Sequence, residues 1–318
     1  MTHRFTGLIA GAVLALGATA AAAQVAAIGS TARGGTSQIG RAISAAITEG
    51  SGLNARPQEM ANTADYLPLV NAGELDFGVA NIVQLAYAVQ GEGMSAGRPN
   101  PDLMMVATLM PFQNNWVVRR DSGIETIAQL AGKRAPLFSD GALGDYVQKA
   151  YLANAGMSFD DLEGVAVPNF PRMWASFGEG STDVTIVVVG AANSREFDAT
   201  MGGIRYLSLD PSAEAVARMQ AFLPGTYVMK LDASAGIPGI EEEVYVNAYD
   251  YTFFAGASTP EQMVYDAVKA VWEAEASLRE SSPIWRQFEK ETMGKAQSVA
   301  YHPGAIRFYK EMGVWPGE

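Results

Sequence analysis

Short apolar strands alternate with amphipathic helices along almost the whole chain, and this alternation restricts the fold more than any other feature. The segment VAAIGS (25–30) predicts a strand, and the helix after it places its apolar residues on one face: Ile39, Ala42, Ile43, Ala46 and Ile47. The segment DVTIVVVG (183–190) is strongly apolar and predicts a buried strand. Strands and helices that alternate in this way are typical of layered α/β proteins.

One local pattern occurs twice. A strand, a turn rich in Gly and Ser, and a helix follow one another around 30–36 and again around 139–144. A chain of 318 residues is long enough for two compact units, so we expect two similar lobes that face each other. Between and after them, LMMVATLM (103–110) and NNWVVRR (114–120) predict two successive strands, and VYVNAYDYTFFAG (244–256) predicts one long β-rich run.

The first 23 residues predict a secretory signal peptide. They begin with MTHR, continue with an uncharged apolar run over 5–20 and end in a tract of alanines. A basic start, an apolar run and small residues form the pattern of a cleaved export signal. The run falls short of the ~20 strongly apolar residues that a membrane-spanning helix needs. We expect cleavage between Ala23 and Gln24 and a periplasmic location for the remainder.

Composition removes several kinds of chemistry. The chain has no Cys, and its two His are His3, inside the predicted signal, and His302. Thiol nucleophiles, disulfides and His-rich metal sites are therefore excluded. A net charge of −12 without a basic run argues against nucleic acid as a partner. The chain also lacks a Walker loop, a G-x-G-x-x-G motif and a G-x-S-x-G elbow, so we expect no metal, no cofactor and no enzymatic activity.

The turn GSTARGGT (29–36) is the first candidate binding element. It joins a predicted strand to a predicted helix, where backbone N–H groups are unpaired and carry a partial positive charge. The hydroxyls of Ser30, Thr31 and Thr36 add further donors. Such a turn can bind a carboxylate or phosphate. The alternative is an ordinary turn in which Thr36 caps the helix.

Two more turns follow the same logic. Asn62 and Thr63 stand at the start of a second helix, and FSDGALGD (138–145) stands at the start of a third. Each of them also has a simpler explanation as a helix cap. Three such turns in an α/β chain predict a ligand crevice between lobes.

Two arginines are candidates for a bidentate clamp on a carboxylate. Arg33 lies inside the first turn, and Arg172 follows the NFP turn at 169–171. The alternative for each is an ordinary surface position. Arg33 in particular indicates an acidic ligand such as a dicarboxylate.

The sequence resembles the TAXI-type solute receptors of tripartite ATP-independent periplasmic (TRAP) transporters. The segments that carry this resemblance occur in order over the chain: GSTARGGTSQIGRAISAAI (29–47), NAGELDFGVANIVQLAYA (71–88), SGIETIAQLAGKRAPL (122–137) and AYHPGAIRFYKEMG (300–313). The opening turn and the terminal segment are the most specific of them. The middle two are shared more broadly with two-lobed binding proteins.

The resemblance implies a two-lobed periplasmic-binding-protein fold of type II, a Venus flytrap with two crossover hinge strands near 110–115 and 251–255. Residues 24–112 and 255–318 would form lobe 1, and residues 113–254 lobe 2. The ligand site that it implies contains these residues: Ser30, Thr31, Gly35, Thr36, Asn62, Thr63, Asn81, Ser139, Gly141 and Ala142.

The function that the resemblance implies is periplasmic capture of a small carboxylate or amino-acid-like ligand, such as glutamate or a dicarboxylate. The loaded receptor would pass it to a TRAP membrane permease driven by an ion gradient. Two alternatives stay open: a binding protein that serves a sensor kinase, and an exported hydrolase, for which His302 would be the one imidazole.

Overall fold

The computed structural model describes residue 1, residues 25–233 and residues 236–317, so the predicted signal peptide after its first residue and the predicted cleavage site lie outside the described residues. An eight-stranded mixed sheet runs through the molecule. Its main order is β2 (Asn54–Met60), β1 (Val25–Thr31), β3 (Phe77–Asn81), β10 (Val244–Gly256), β4 (Leu103–Arg119) and β7 (Val184–Val188), with β8 (Ile204–Tyr206) paired to β4 and β9 (Tyr227–Leu231) paired to β10. A separate two-stranded sheet consists of β5 (Arg134–Leu137) and β6 (Glu163–Ala166). Helices cover the sheet, as the alternation of elements predicted.

Lobe 1 begins with three strands and three helices in strict alternation. They are β1 (Val25–Thr31), α1 (Gly34–Ser51), β2 (Asn54–Met60), α2 (Thr63–Asn71), β3 (Phe77–Asn81) and α3 (Ile82–Gln90). Strands β1, β2 and β3 are parallel, so the turns after them lie at one edge of the sheet. The predicted apolar face of α1 is buried at Ile39, Ile43 and Ile47.

Lobe 2 repeats this alternation with shorter strands. Its elements are β5 (Arg134–Leu137), α4 (Leu143–Asn154), β6 (Glu163–Ala166), α5 (Phe170–Gly178), β7 (Val184–Val188) and α6 (Ala192–Thr200). Every residue of β7 is buried, as its apolar sequence predicted. The lobe is completed by β8 (Ile204–Tyr206), α7 (Ala213–Gln220) and β9 (Tyr227–Leu231).

A reciprocal pair of hydrogen bonds, which involves the backbone of two residues and one Asp side chain, occurs in each lobe. In lobe 1 the amide of Ala27 donates to the Asp76 carboxylate at 2.8 Å, and the amide of Asp76 donates back to the Ala27 carbonyl at 3.2 Å. In lobe 2, Arg134 and Asp183 make the same two bonds at 2.9 and 2.8 Å. Both pairs are 49 residues apart in the chain. The two lobes are therefore built on one plan.

Two long antiparallel strands connect the lobes. They are β4 (Leu103–Arg119) and β10 (Val244–Gly256), which pair along their length. Strand β10 pairs with β9 over 244–248 and with β3 over 251–255, so its neighbour changes around residues 249–250. This change lies just before the expected hinge segment. The crossover strands define a two-lobed α/β fold.

The expectation of two separate strands at 103–110 and 114–120 was wrong, because both belong to β4. Pro111 lies between them and interrupts the apolar pattern in the sequence. It is tolerated because β4 gains β7 as a second neighbour only from Asn114 onward, so no strand needs a donor from Pro111 on that side.

The C-terminal segment returns to lobe 1. Helices α8 (Glu261–Glu273), α9 (Glu275–Ser281) and α10 (Pro303–Glu311) pack beside α1 and β4. His302 is buried and its Nδ1 accepts from the amide of Gly304 at 3.2 Å, which caps α10. Within the described ranges no helix is long and apolar enough to cross a membrane.

Candidate functional site

A cavity of about 460 Å³ lies between the lobes, above the middle of the crossover strands. Its walls come from the turns after β1, β2 and β3 in lobe 1 and from the turns before α4 and α5 in lobe 2. The lobes also contact each other beside it, since the rings of Tyr87 on α3 and Tyr146 on α4 lie 6.3 Å apart. The size lies within the ~300–1,000 Å³ range that is usual for small-molecule sites.

The turn after β1 contributes Thr31, Arg33, Gly35 and Thr36 to the wall. Arg33 occupies the N-cap position of α1, so Thr36 lies within the first turn of that helix and does not cap it. The Arg33 side chain is exposed, and no described carboxylate forms a salt bridge with it. A free guanidinium beside the start of a helix favours an anion.

The other lobe 1 turns present amides and hydroxyls. Asn62 and Asn81 are the N-cap residues of α2 and α3, and Thr63 is buried beside them. The Asn81 side chain accepts from the amide of Gln84 at 2.8 Å and donates to the Gln84 side chain at 2.8 Å. These polar groups are held in place before any ligand arrives, because each makes bonds within its own turn.

Stacked aromatic rings from the crossover strands form the floor. Phe112 of β4 lies between Tyr249 and Tyr251 of β10, with ring centroids 5.8 and 4.4 Å away. The Tyr251 hydroxyl donates to the Thr36 hydroxyl at 2.6 Å. Burial raises the pKa of both tyrosines above the ordinary value. Both phenols are therefore neutral, and the floor adds no negative charge.

The lobe 2 wall contains a row of three aromatic rings. Phe138, Phe170 and Trp174 follow one another with ring centroids 5.0 and 6.0 Å apart. The Trp174 indole donates to the carbonyl of Ile186 at 2.8 Å, which fixes the ring. Asn169 caps α5 by accepting from the amide of Arg172 at 3.0 Å. This wall offers flat apolar surface.

Nine of the twelve residues that the sequence suggested lie on this one cavity: Thr31, Arg33, Gly35, Thr36, Asn62, Thr63, Asn81, Gly141 and Ala142. Three lie outside its lining. Ser30 is buried and packs toward Gly40 of α1, Ser139 is exposed, and Arg172 is exposed on the first turn of α5. That the ligand contacts any of these twelve residues stays a prediction.

Sequence reasoning missed Asn169 and gave little weight to the aromatic wall. Asn169 is the counterpart of Asn62, since each caps the second helix of its lobe. The repeated order of elements was the signal that could have revealed it. Phe170 and Trp174 carried no such signal, because aromatic residues in an α/β chain usually pack in a core.

Positively charged side chains outnumber negatively charged ones among the described residues of the cavity wall. Arg33 and Arg98 are its cations, and Asp140 is the one carboxylate among the described lining residues. Asp140 is paired with Lys149 at 2.8 Å, and this hydrogen bond lowers the pKa of the carboxyl. The wall therefore has a positive balance although the whole chain carries −12.

Across the described residues no group of three or more His, Asp or Glu side chains is placed to hold a metal ion. His302 caps α10 and is not part of the cavity lining. What remains is a cavity with cations and helix starts on one side and aromatic rings on the other.

The fold is that of the two-lobed periplasmic binding proteins. One similar solved structure is MatC from Rhodopseudomonas palustris with bound malate, which is 16% identical over 82% of this chain and 86% of that chain, with a TM-score of 0.55. PhnD1 from Prochlorococcus marinus with methylphosphonate is 11% identical over 92% of this chain and 99% of that chain, with a TM-score of 0.51. The alkanesulfonate-binding protein SsuA from Xanthomonas axonopodis pv. citri with MOPS is 18% identical over 93% of this chain and 82% of that chain, with a TM-score of 0.50.

The chain belongs to the NMT1-like family, whose profile matches residues 28–313. The match begins inside β1 and ends just beyond α10, so it covers both lobes and the C-terminal helices.

Proposed function

We propose that this protein is an exported solute receptor of the periplasm, which binds a small organic anion between its lobes and delivers it to a TRAP membrane permease. The observation that carries the proposal is the cavity itself, which lies between the lobes and has Arg33 unpaired on its wall. The three similar proteins were solved with malate, methylphosphonate and MOPS, each of which carries an ionised acidic group. The TRAP assignment rests on the sequence resemblance.

Binding would proceed by closure of the lobes, with residues 24–112 and 255–318 moving against residues 113–254. A ligand that contacts both walls stabilises the closed arrangement over the open one. The crossover strands β4 and β10 are the elements that must bend. No bond of the ligand is broken in this cycle.

A binding protein that serves a sensor kinase would use the same cavity, and uptake measurements separate the two. Proteoliposomes with the candidate permease should accumulate the ligand under a sodium gradient without ATP when the receptor is present. Accumulation without the receptor would contradict delivery. An exported hydrolase is disfavoured because His302 is engaged in capping α10.

The binding step is tested by calorimetry on protein freed of bound solute by unfolding and refolding, against a panel of organic acids. Arg33→Gln should weaken binding of the best acid at least tenfold, because the variant removes a charge from the wall. Arg279→Gln is the matched control, since Arg279 is also exposed and lies on α9, outside the lining. Equal affinity in wild type and Arg33→Gln would contradict the assignment of the anion to this wall.

A further inference from the structure

The cavity lining indicates which class of anion the receptor would take. We infer that its ligand is an organic acid with an aromatic or similarly flat apolar body and without an ammonium group, an inference that rests on the proposed function. The sequence analysis expected a small carboxylate or an amino-acid-like ligand, and this inference excludes the amino acids from that set. Three features of the cavity wall support it.

The first feature is the lack of a free negative charge. An amino acid carries an ammonium group, which sites usually bind with a carboxylate. Among the described lining residues only Asp140 has one, and Lys149 holds it at 2.8 Å. The side chain of Asp140 also points largely into solvent, with 95% of it exposed. Nothing acidic faces the interior.

The second feature is that three side-chain amide oxygens on the wall already accept hydrogen bonds within the protein. Asn81 accepts from the Gln84 amide, and Asn169 accepts from the Arg172 amide. The Asn114 oxygen accepts from the Tyr151 hydroxyl and from the Asn247 amide. The Thr36 hydroxyl oxygen already accepts from the Tyr251 hydroxyl. An ammonium group placed here would lose water without gaining a full set of acceptors.

The third feature is the position of the aromatic rings. The cations Arg33 and Arg98 belong to lobe 1, whereas Phe138, Phe170 and Trp174 form the wall of lobe 2. The floor between them is the stack of Tyr249, Phe112 and Tyr251. A ligand with an anionic end and a flat apolar end complements this order, because an aromatic ring packed against another is stabilised beyond the burial of its apolar area. A short acid such as malate would leave the aromatic wall uncovered.

Three acids test the inference by calorimetry on the refolded full-length mature chain. 3-Phenylpropanoate has both required parts, L-phenylalanine adds only the ammonium group, and propanoate removes only the ring. We expect 3-phenylpropanoate to bind at least tenfold more tightly than either of the others. Glutamate and malate are included in the same series to represent the amino acid and the short dicarboxylate.

The outcomes separate the inference from the proposed function. If L-phenylalanine, propanoate, glutamate or malate binds as tightly as 3-phenylpropanoate, the inference is wrong while the receptor function stands. If no acid of the series binds at millimolar concentration and no small anion is found by mass spectrometry in the unfolded protein, both are wrong. A tenfold preference for 3-phenylpropanoate over the other four supports both.

Discussion

Trp174 of lobe 2 lies directly over Gly34 of lobe 1. A Cβ added to Gly34 would be 2.5 Å from Cη2 of the Trp174 ring, and Gly34 also has a φ of +84°. The first helix start of lobe 1 and the aromatic wall of lobe 2 therefore meet only because this residue has no side chain. This close approach of the two lobes therefore depends on the glycine at position 34.

Gly34→Ala should weaken ligand binding at least tenfold, because the methyl group pushes Trp174 away and disfavours closure. The positive φ adds about 1–2 kcal/mol of destabilisation in any state. Calorimetry and thermal unfolding measure the two effects separately.

Gly52→Ala is the control for the backbone term, since Gly52 ends the same helix at φ +75° with no atom near its position for a Cβ. We expect this variant to lose similar stability and no affinity. If both variants lose the same affinity, the Trp174 contact has no role in closure.

Tyr251→Phe tests the bond between the floor and the first helix. Removal of the hydroxyl that donates to Thr36 at 2.6 Å should lower the free energy of unfolding by about 1 kcal/mol, a usual value for one hydrogen bond. Ligand affinity should also fall, because the Thr36 hydroxyl becomes free to rotate. Tyr249→Phe keeps the stack and the Thr36 bond, so its affinity should stay closer to wild type. The reverse order would argue against a role for Thr36.

Asp250 joins both lobes at the point where β10 changes its neighbour. Its carboxylate accepts from Lys295 at 2.7 Å and from Gln297 at 2.8 Å on the lobe 1 side, and it lies 3.4 Å from the Tyr227 hydroxyl of lobe 2. Asp250→Asn should destabilise the chain by about 1–3 kcal/mol, as expected for loss of a charged hydrogen bond. It should also broaden the distribution of lobe separations measured by paired fluorophores.

Glu214→Gln is the control for Asp250→Asn. Glu214 forms an exposed i,i+4 pair with Arg218 on α7, and such pairs contribute little. Its removal should change neither stability nor lobe separation by a measurable amount. An unchanged distribution in Asp250→Asn would show that this carboxylate does not restrain the hinge.

His302 predicts how stability depends on pH. Burial lowers its pKa, so the folded chain takes up a proton at lower pH than the unfolded chain, whose His titrates near about 6.5. Its contribution to stability is therefore complete above about pH 6.5 and is lost as the pH falls below that value. His302→Asn keeps a capping side chain that does not titrate. Urea unfolding between pH 7.5 and 5 should show a smaller loss in the variant, and equal losses would rule out this role.

The sequence predicted elements better than it predicted contacts. Strand β10 was expected over 244–256 and occurs there, because its β-rich pattern is unbroken. Strand β4 was divided in two because Pro111 is unfavourable for a strand unless one side lacks a neighbour, and neighbours are a property of the fold. Arg33 and Arg172 looked alike in the sequence, and only the folded chain places one of them on the cavity wall.

The reciprocal bonds of Asp76 and Asp183, with the same spacing of 49 residues, show that the two halves of the molecule share one structural plan. Each half supplies equivalent turns to the cavity, yet one half presents arginine and the other presents aromatic rings. Change in ligand preference can then occur in one half while the other is kept. If the turn at 138–145 or 168–174 is exchanged for that of a relative, the preference for the apolar part of the ligand should change. The requirement for an anionic group on the ligand should stay the same.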